Sequence, residues 1–231
     1  MEKIRAANFS DSDRIKEIAS RAGYVDYISR NVNSMLAKGG MYLYEDKIVE
    51  GFLQARFRNI CWISAIRVDP DYRRQGIAEK MIRHVEKLGK AKGCKSYGAL
   101  VTDDNTPSRE MFSKLGYVEK EYYGTFLCGP SDLTEVKNLN IANEYLFLEW
   151  EIWEKNEAMK EIPDLKKFKD SNGNEYITST EGFELIKLIK TPEYSEGENY
   201  ITINKKILTE NMIKELKDVS METFIFYQKT I

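Results

Sequence analysis

The sequence predicts an α/β protein: a mixed sheet flanked by helices, with a small C-terminal α+β appendage. Three observations predict it. Strand-like and helix-like apolar periodicities alternate through residues 1–153. A strand–helix–strand unit over 60–102 has the length of a right-handed crossover joining two parallel strands. After about residue 154 the texture changes to Lys/Glu-rich segments punctuated by Pro163, Asn172-Gly173, Pro192 and Gly197. The expected division is therefore 1–153 for the main domain and 154–231 for a small α+β domain.

Each element has its own signal. Residues 10–21 open with Ser10 and Asp11 and place Ile15, Ile18 and Ala19 at helical spacing. A second helix is expected over 25–38, stopped by Gly39-Gly40. Residues 41–45 and 48–57 are β-like runs around Asp46-Lys47, the pattern of a hairpin. The run 60–68 is almost continuously apolar, as a central strand is. Ile77, Met81, Val85 and Leu88 mark one face of the next helix, with Glu79, Arg83, Glu86 and Lys90 on the others, and Gly93 ends it. Residues 97–102 form a short strand. Thr106-Pro107 starts a further helix with a capping hydroxyl and a proline at the first helical position, and Gly116 closes it. Residues 117–127 read as a long strand, 128–144 as a polar loop, and 145–152 as a last strand of the same sheet. In the appendage, strands are expected over 183–190, 200–207 and 223–229, and a short helix over 209–217.

Composition excludes several classes of function. The 231 residues are 42% hydrophobic and 31% charged, the proportions of a globular chain. Thirty-five basic against 37 acidic residues leave a net charge of −2, so no global field draws nucleic acid or an acidic membrane. Cys61, Cys94 and Cys128 are odd in number and share no metal-ligand or redox spacing, which reads as reduced thiols and no metal. No leader pattern opens the chain, and no apolar run approaches the roughly 20 residues that span a bilayer. A cytoplasmic location, with no nucleic-acid or membrane partner, is expected.

The most informative segment is 68–78, Val-Asp-Pro-Asp-Tyr-Arg-Arg-Gln-Gly-Ile-Ala, between the central strand and its amphipathic helix. The first N–H groups of a helix lack intrahelical partners and the helix dipole is positive there, so such a start binds phosphate groups. Gly76 lets an anion approach the backbone with no Cβ in the way. Arg73 and Arg74 flank it. Companion glycines of a dinucleotide loop and the Lys-Ser/Thr of an ATP loop are absent, so those readings fit poorly.

Segment 68–78 resembles the Arg/Gln-x-x-Gly-x-Gly/Ala turn of the GNAT superfamily of acetyl-CoA-dependent N-acetyltransferases, with Ala78 in the last position. Asn105-x-x-Ser108-x-x-x-Phe112-x-Lys114-Leu115-Gly116-Tyr117 resembles the second motif of the same family, at the same spacing. The resemblance covers about residues 1–153. It implies a mostly antiparallel central sheet and direct acetyl transfer from acetyl-CoA to a primary amine, on a small molecule or a peptide. It also implies that Arg73, Arg74, Gln75, Gly76, Ile77 and Ala78 hold the CoA pyrophosphate. Ile66 to Val68 would pair with the pantetheine arm and offer an N–H to the thioester carbonyl, with a bulge splaying that strand from the next. Asn105 and Ser108 would line the CoA slot, with Phe112 near the sulfur.

Two departures stand out. Phe112 occupies the position where relatives carry an acidic Tyr, and Trp62 lies where some carry a basic Glu. No standard acid or base is therefore present. Tyr122 and Tyr123 are weak candidates for the acid. His84, Trp150, Trp153 and Cys61 are expected to pack rather than react. The alternative for Asn105 is a plain helix cap. Three readings stay open: an N-acetyltransferase, a non-catalytic acyl-CoA-binding module, or an acyltransferase scaffold whose C-terminal appendage binds partners or forms a homodimer.

Overall fold

The structure, a computed structural model, describes residues 3–21, 27–179, 182–195, 199–215 and 221–231. The chain forms two compact units, one of residues 1–98 with 229–231 and the other of residues 99–228.

The first unit contains β1 (Lys3–Ala6), α1 (Ser12–Ser20), α2 (Ile28–Lys38), β2 (Met41–Glu45), β3 (Val49–Phe57), β4 (Ile60–Val68), α3 (Ile77–Ala91) and the start of β5 (Ser96–Thr102). Its strands lie in the order β1-β2-β3-β4-β5. The ladders are antiparallel except for β4–β5, which is parallel, as the crossover predicts. Ile15, Ile18 and Ala19 of α1 pack with Ile28, Val32, Met35 and Leu36 of α2 on Met41, Leu43 and Phe52. Successive strand residues face opposite sides, so Gly51, next to Phe52, faces α3. A Cβ on Gly51 would come within 3.3 Å of the Ile77 and Met81 side chains, and one on Gly89 within 3.0 Å of the Cys61 sulfur. Glycine at those two points lets α3 seat its buried Ile77, Met81, Ile82 and Val85 against the sheet.

The second unit holds α4 (Thr106–Lys114), β6 (Val118–Phe126), β7 (Gly129–Pro130), β8 (Thr134–Val136), β9 (Tyr145–Leu148), β10 (Glu151–Glu154) and α5 (Lys155–Glu161). They are followed by β11 (Lys166–Lys169), β12 (Glu175–Thr178), β13 (Phe183–Lys187), β14 (Tyr194–Ser195), β15 (Ile201–Asn204), α6 (Glu210–Glu215) and β16 (Met221–Thr230). The main strand order is β16-β6-β15-β13-β12-β11-β8, antiparallel throughout apart from β15–β13. Tyr176 and Ile177 show its two faces. Tyr176 packs with Phe126, Leu185, Ile201 and Ile203, and Ile177 with Leu146, Leu148, Trp153 and Ile186.

Several expectations change. Residues 145–152 are not one strand of the main sheet but most of a separate β9–β10 hairpin, in which Leu148 pairs with Glu151. Glu149 and Trp150 turn at φ 53° and 62°, without the Asn-Gly that announces such a turn. The expected strand 223–229 lies within β16, which pairs with β6, so strands drawn from both sides of residue 154 share one ladder. Lys-rich β11, short β1, β8 and β12, and charged α5 gave no apolar period to read. Positions 25–26 of the second expected helix and 216–217 of the last lie outside the described residues.

Candidate active site

The turn after β4 is held from below by a buried carboxylate. Asp69 is fully buried; its side chain accepts from the Asp71 N–H at 3.1 Å and caps the 3-10 turn Pro70–Tyr72. Two guanidiniums from α1 and its end reach the same carboxylate, Arg14 at 2.6 Å and Arg21 at 2.7 Å. Arg14 also donates to the Val49 carbonyl at 2.9 Å, and Arg21 to Asp71 at 2.9 Å. Burial disfavours the charged form of Asp69, but the Asp71 N–H and the two arginines outweigh it and hold the carboxyl below its ordinary range. This brace fixes where β4 ends and the turn begins.

Past the brace the backbone opens outward. Arg73 is extended (φ −65°, ψ 161°), Arg74 is left-handed at φ 65°, and Gly76 is left-handed at φ 74°, ψ 10°. Gly76 is the N-cap of α3 and supplies no side-chain cap. Among the described residues, the N–H groups of Arg74, Gln75, Gly76, Ile77 and Ala78 take no backbone or side-chain acceptor. Residues 73–76 are exposed, and a Cβ built on Gly76 meets nothing within 4 Å. Unpaired donors, open space and two arginines, with the Arg73 Nε donating to the Val68 carbonyl at 3.3 Å, suit a diphosphate.

β4 carries the expected bulge. Phe52 pairs with Arg67 and Gln54 with Ser64, so Ala65 and Ile66 together oppose Leu53, and Ala65 sits at φ 53°. The parallel ladder to β5 runs from Ile60–Ser96 to Trp62–Gly98, and β4 continues from there through the bulge to Ile66 and Val68.

The second motif lies in the other unit. Asn105 caps α4, its side chain accepting from the Ser108 N–H at 3.2 Å. Phe112 is buried between Tyr117, with ring centroids 5.0 Å apart, and Tyr227, stacked at 5.9 Å. Glu119 gathers three donors: the Tyr122 hydroxyl, the Tyr227 hydroxyl at 2.6 Å and Arg109 at 3.4 Å. The hydrogen bond to Glu119, with some burial, pushes the Tyr122 phenol up to about 12. The same contacts, Tyr122 first, hold the Glu119 carboxyl below its ordinary range. Tyr123 is buried against Phe147 at 5.2 Å, and burial raises its phenol well above the ordinary value.

The residues expected to pack do so. Cys61 is buried and its thiol is pushed up to about 12 by that burial. His84 lies against Tyr42 at 5.8 Å, with burial lowering its pKa. Trp62 and Trp153 are buried, and Trp150, though 41% exposed, packs its ring on Tyr200 at 4.8 Å and against Phe224 and Phe147. Two features escaped the sequence. The Asp69–Arg14–Arg21 brace had a local signal in Asp69-Pro70-Asp71, a capping sequence, but its arginines are some 50 residues away. The Glu119 cluster had none, since Tyr227 is 108 residues along the chain.

A model of the acetyltransferase (GNAT) family matches residues 10–117, a span that contains the bulge, the bare turn and both motifs. This segment belongs to the GNAT family. The GNAT segment also has curated relatives. Aminoglycoside N(6')-acetyltransferase type 1 of Salmonella typhimurium is 28% identical over 86 residues, 33% of this chain and 59% of the relative. The enzyme of that name from Acinetobacter genomosp. 13 is 37% identical over 62 residues, 27% of this chain and 42% of the relative. The chain thus spans less than two thirds of these relatives. Over nearly its whole length it shares the fold of a candidate acetyltransferase of Thermoplasma acidophilum (TM-score 0.68, 15% identity, 99% of this chain and 100% of that one). The same holds for one from Pyrococcus horikoshii (TM-score 0.63, 13% identity, 100% and 89%). Among the described residues no group of side chains could hold a metal ion, and no helix is long and apolar enough to cross a membrane.

Proposed function

We propose that this GNAT protein transfers an acetyl group from acetyl-CoA to a primary amine of a small molecule or peptide, by direct attack in a ternary complex. The observation that carries this reading is the run of unpartnered N–H groups at residues 74–78, opened by two left-handed residues and braced by Asp69. Those donors would hold the pyrophosphate, with Arg73 and Arg74 as counter-charges. Acetyl-CoA supplies the activated acyl group. Ile66 and Val68, beside the bulge, would offer the backbone edge that receives the pantetheine arm and an N–H to the thioester oxygen. Asn105 caps α4, which would leave Ser108 as the side chain of that turn nearest in role to a CoA contact.

An amine with a pKa near 10 must shed a proton before attack, while a thiol of pKa about 8.5 leaves as thiolate without a dedicated acid. Phe112 therefore does not forbid the reaction. Of the two tyrosines considered as acids, Tyr122 keeps its proton at neutral pH and is partly exposed, whereas Tyr123 is buried. The Tyr122 proton is already donated to Glu119 and is held more tightly than a thiol holds its own, so we assign the proton return to solvent.

The relatives' names put aminoglycoside amines at the head of the acceptor panel. The test is a thiol-release screen of aminoglycosides, polyamines and peptide amines with acetyl-CoA, together with calorimetry of Gly76→Asp, which sets a carboxylate against the diphosphate. Thiol release with at least one amine and loss of CoA binding in Gly76→Asp are expected; equal CoA affinity in the two proteins refutes the site. A non-catalytic acyl-CoA-binding module, favoured by the packed Phe112, predicts CoA binding with no thiol release from any amine.

A further inference from the structure

In the second unit, β11, β12 and β13 place three lysines around one carboxylate. Glu175 on β12 lies directly across from Lys169 on β11 and from Lys187 on β13. Lys167 is buried and holds one Glu175 oxygen at 2.5 Å; Lys169 and Lys187 share the other at 3.2 Å and 3.7 Å. The Lys169 and Lys187 ammonium groups therefore lie within about 7 Å of each other, two like charges on one oxygen. Lys167 is fixed further by donating to the Asn140 carbonyl at 2.8 Å. The cluster lines a cleft of about 440 Å³, to which Asn138 and Asn143 also contribute.

The register explains why Lys187 points here. Tyr176 pairs with Leu185 but Glu175 pairs with Lys187, so Ile186 is an extra residue in β13. Without that bulge Ile186 would stand opposite Glu175. With it, Ile186 faces the apolar cluster under the cleft and Lys187 is turned to the carboxylate. The lining carries three ammonium groups against a single carboxylate, a surplus of two positive charges in a concave site. A structural ion pair needs only Lys167 and Glu175. The two half-exposed lysines add repulsion that an anion between them would relieve.

We propose that this cleft is a second ligand site, separate from the coenzyme turn, which takes a small dianion: a phosphate monoester or a dicarboxylate whose oxygens bridge Lys169 and Lys187.

The test is calorimetry on the full chain, presaturated with CoA, using inorganic phosphate and malonate as probes at constant ionic strength. We expect one-to-one binding of at least one probe, phosphate pointing to phosphate esters and malonate to dicarboxylates. Binding should weaken at least tenfold in Lys169→Gln/Lys187→Gln, whose side chains are half exposed and which should melt at the wild-type temperature. It should persist in Gly76→Asp, which reports on the coenzyme turn alone. Binding of neither probe to the wild type, or equal affinity in the double lysine variant, overturns the proposal. So does loss of binding in Gly76→Asp when it and the wild type are compared without CoA, which would place the anion on the turn.

Discussion

Gly76 and Gly93 bracket α3 and make a matched pair of perturbations. Gly76 has φ 74° and Gly93 φ 83°, and a Cβ at either would find nothing within 4 Å. Alanine at either site therefore meets no clash in the free protein and carries only the left-handed backbone penalty, roughly 1 kcal/mol. For a chain of this size that corresponds to a fall in Tm of about 2–4 °C. The two glycines differ in what surrounds them. Gly76 sits among the bare N–H groups of residues 74–78, while the Gly93 N–H is taken up by the Lys90 carbonyl at 3.1 Å. On the proposed binding mode, a methyl group at 76 would stand where the diphosphate approaches the backbone. If even one N–H contact is lost, the cost is about 1.4 kcal/mol or more, a tenfold or greater rise in the acetyl-CoA Kd. Gly76→Ala and Gly93→Ala should thus unfold at nearly the same temperature in scanning fluorimetry, yet only Gly76→Ala should lose coenzyme affinity in calorimetry. Equal Kd values for the two variants would refute the argument that the turn at 76 is the phosphate site.

Glu184 is buried, accepts from the Phe147 N–H at 2.7 Å, and burial raises its pKa to about 8. Its carboxyl is neutral in the fold and ionised in the unfolded chain above its ordinary 4.5, so stability is highest below that value and falls as pH rises to about 8. Glu184→Gln should remove this loss, on the order of 3 kcal/mol at pH 7; a denaturant midpoint gap between variant and wild type that does not widen from pH 5 to pH 8 would contradict it. Asp69→Asn should cost about 3 kcal/mol, because it leaves Arg14 and Arg21 facing a neutral buried amide, and it should weaken acetyl-CoA binding by loosening the turn; unchanged Tm and Kd would show the brace to be idle. A chain ending at residue 154 should fail to give a cooperative unfolding transition, since it strips β16 and β15 from both edges of β6; a soluble truncated protein with a sharp transition would show that β6 does not need them.

The sequence by itself determined the half of the candidate site that is local. A phosphate-binding helix start needs a turn, a glycine able to adopt positive φ and an amphipathic run, and all of these lie within residues 68–91. The bounds of β4, α3 and α4, the β4–β5 crossover and the packing of Cys61 and His84 were legible for the same reason, since apolar period and capping residues act over a few positions. Tertiary structure decided what depends on partners far apart in the chain. It set Arg14 and Arg21 on Asp69, Tyr227 beside Phe112 and Glu119, and β16 against β6. The texture change at residue 154 reports composition, whereas the compact units divide after Gly98, because strand pairing ignores distance along the chain. The bulge at Ile186 is the sharpest case: a single extra residue, invisible in β-propensity, turns Lys187 toward Glu175 and makes a charged cleft out of an ordinary strand.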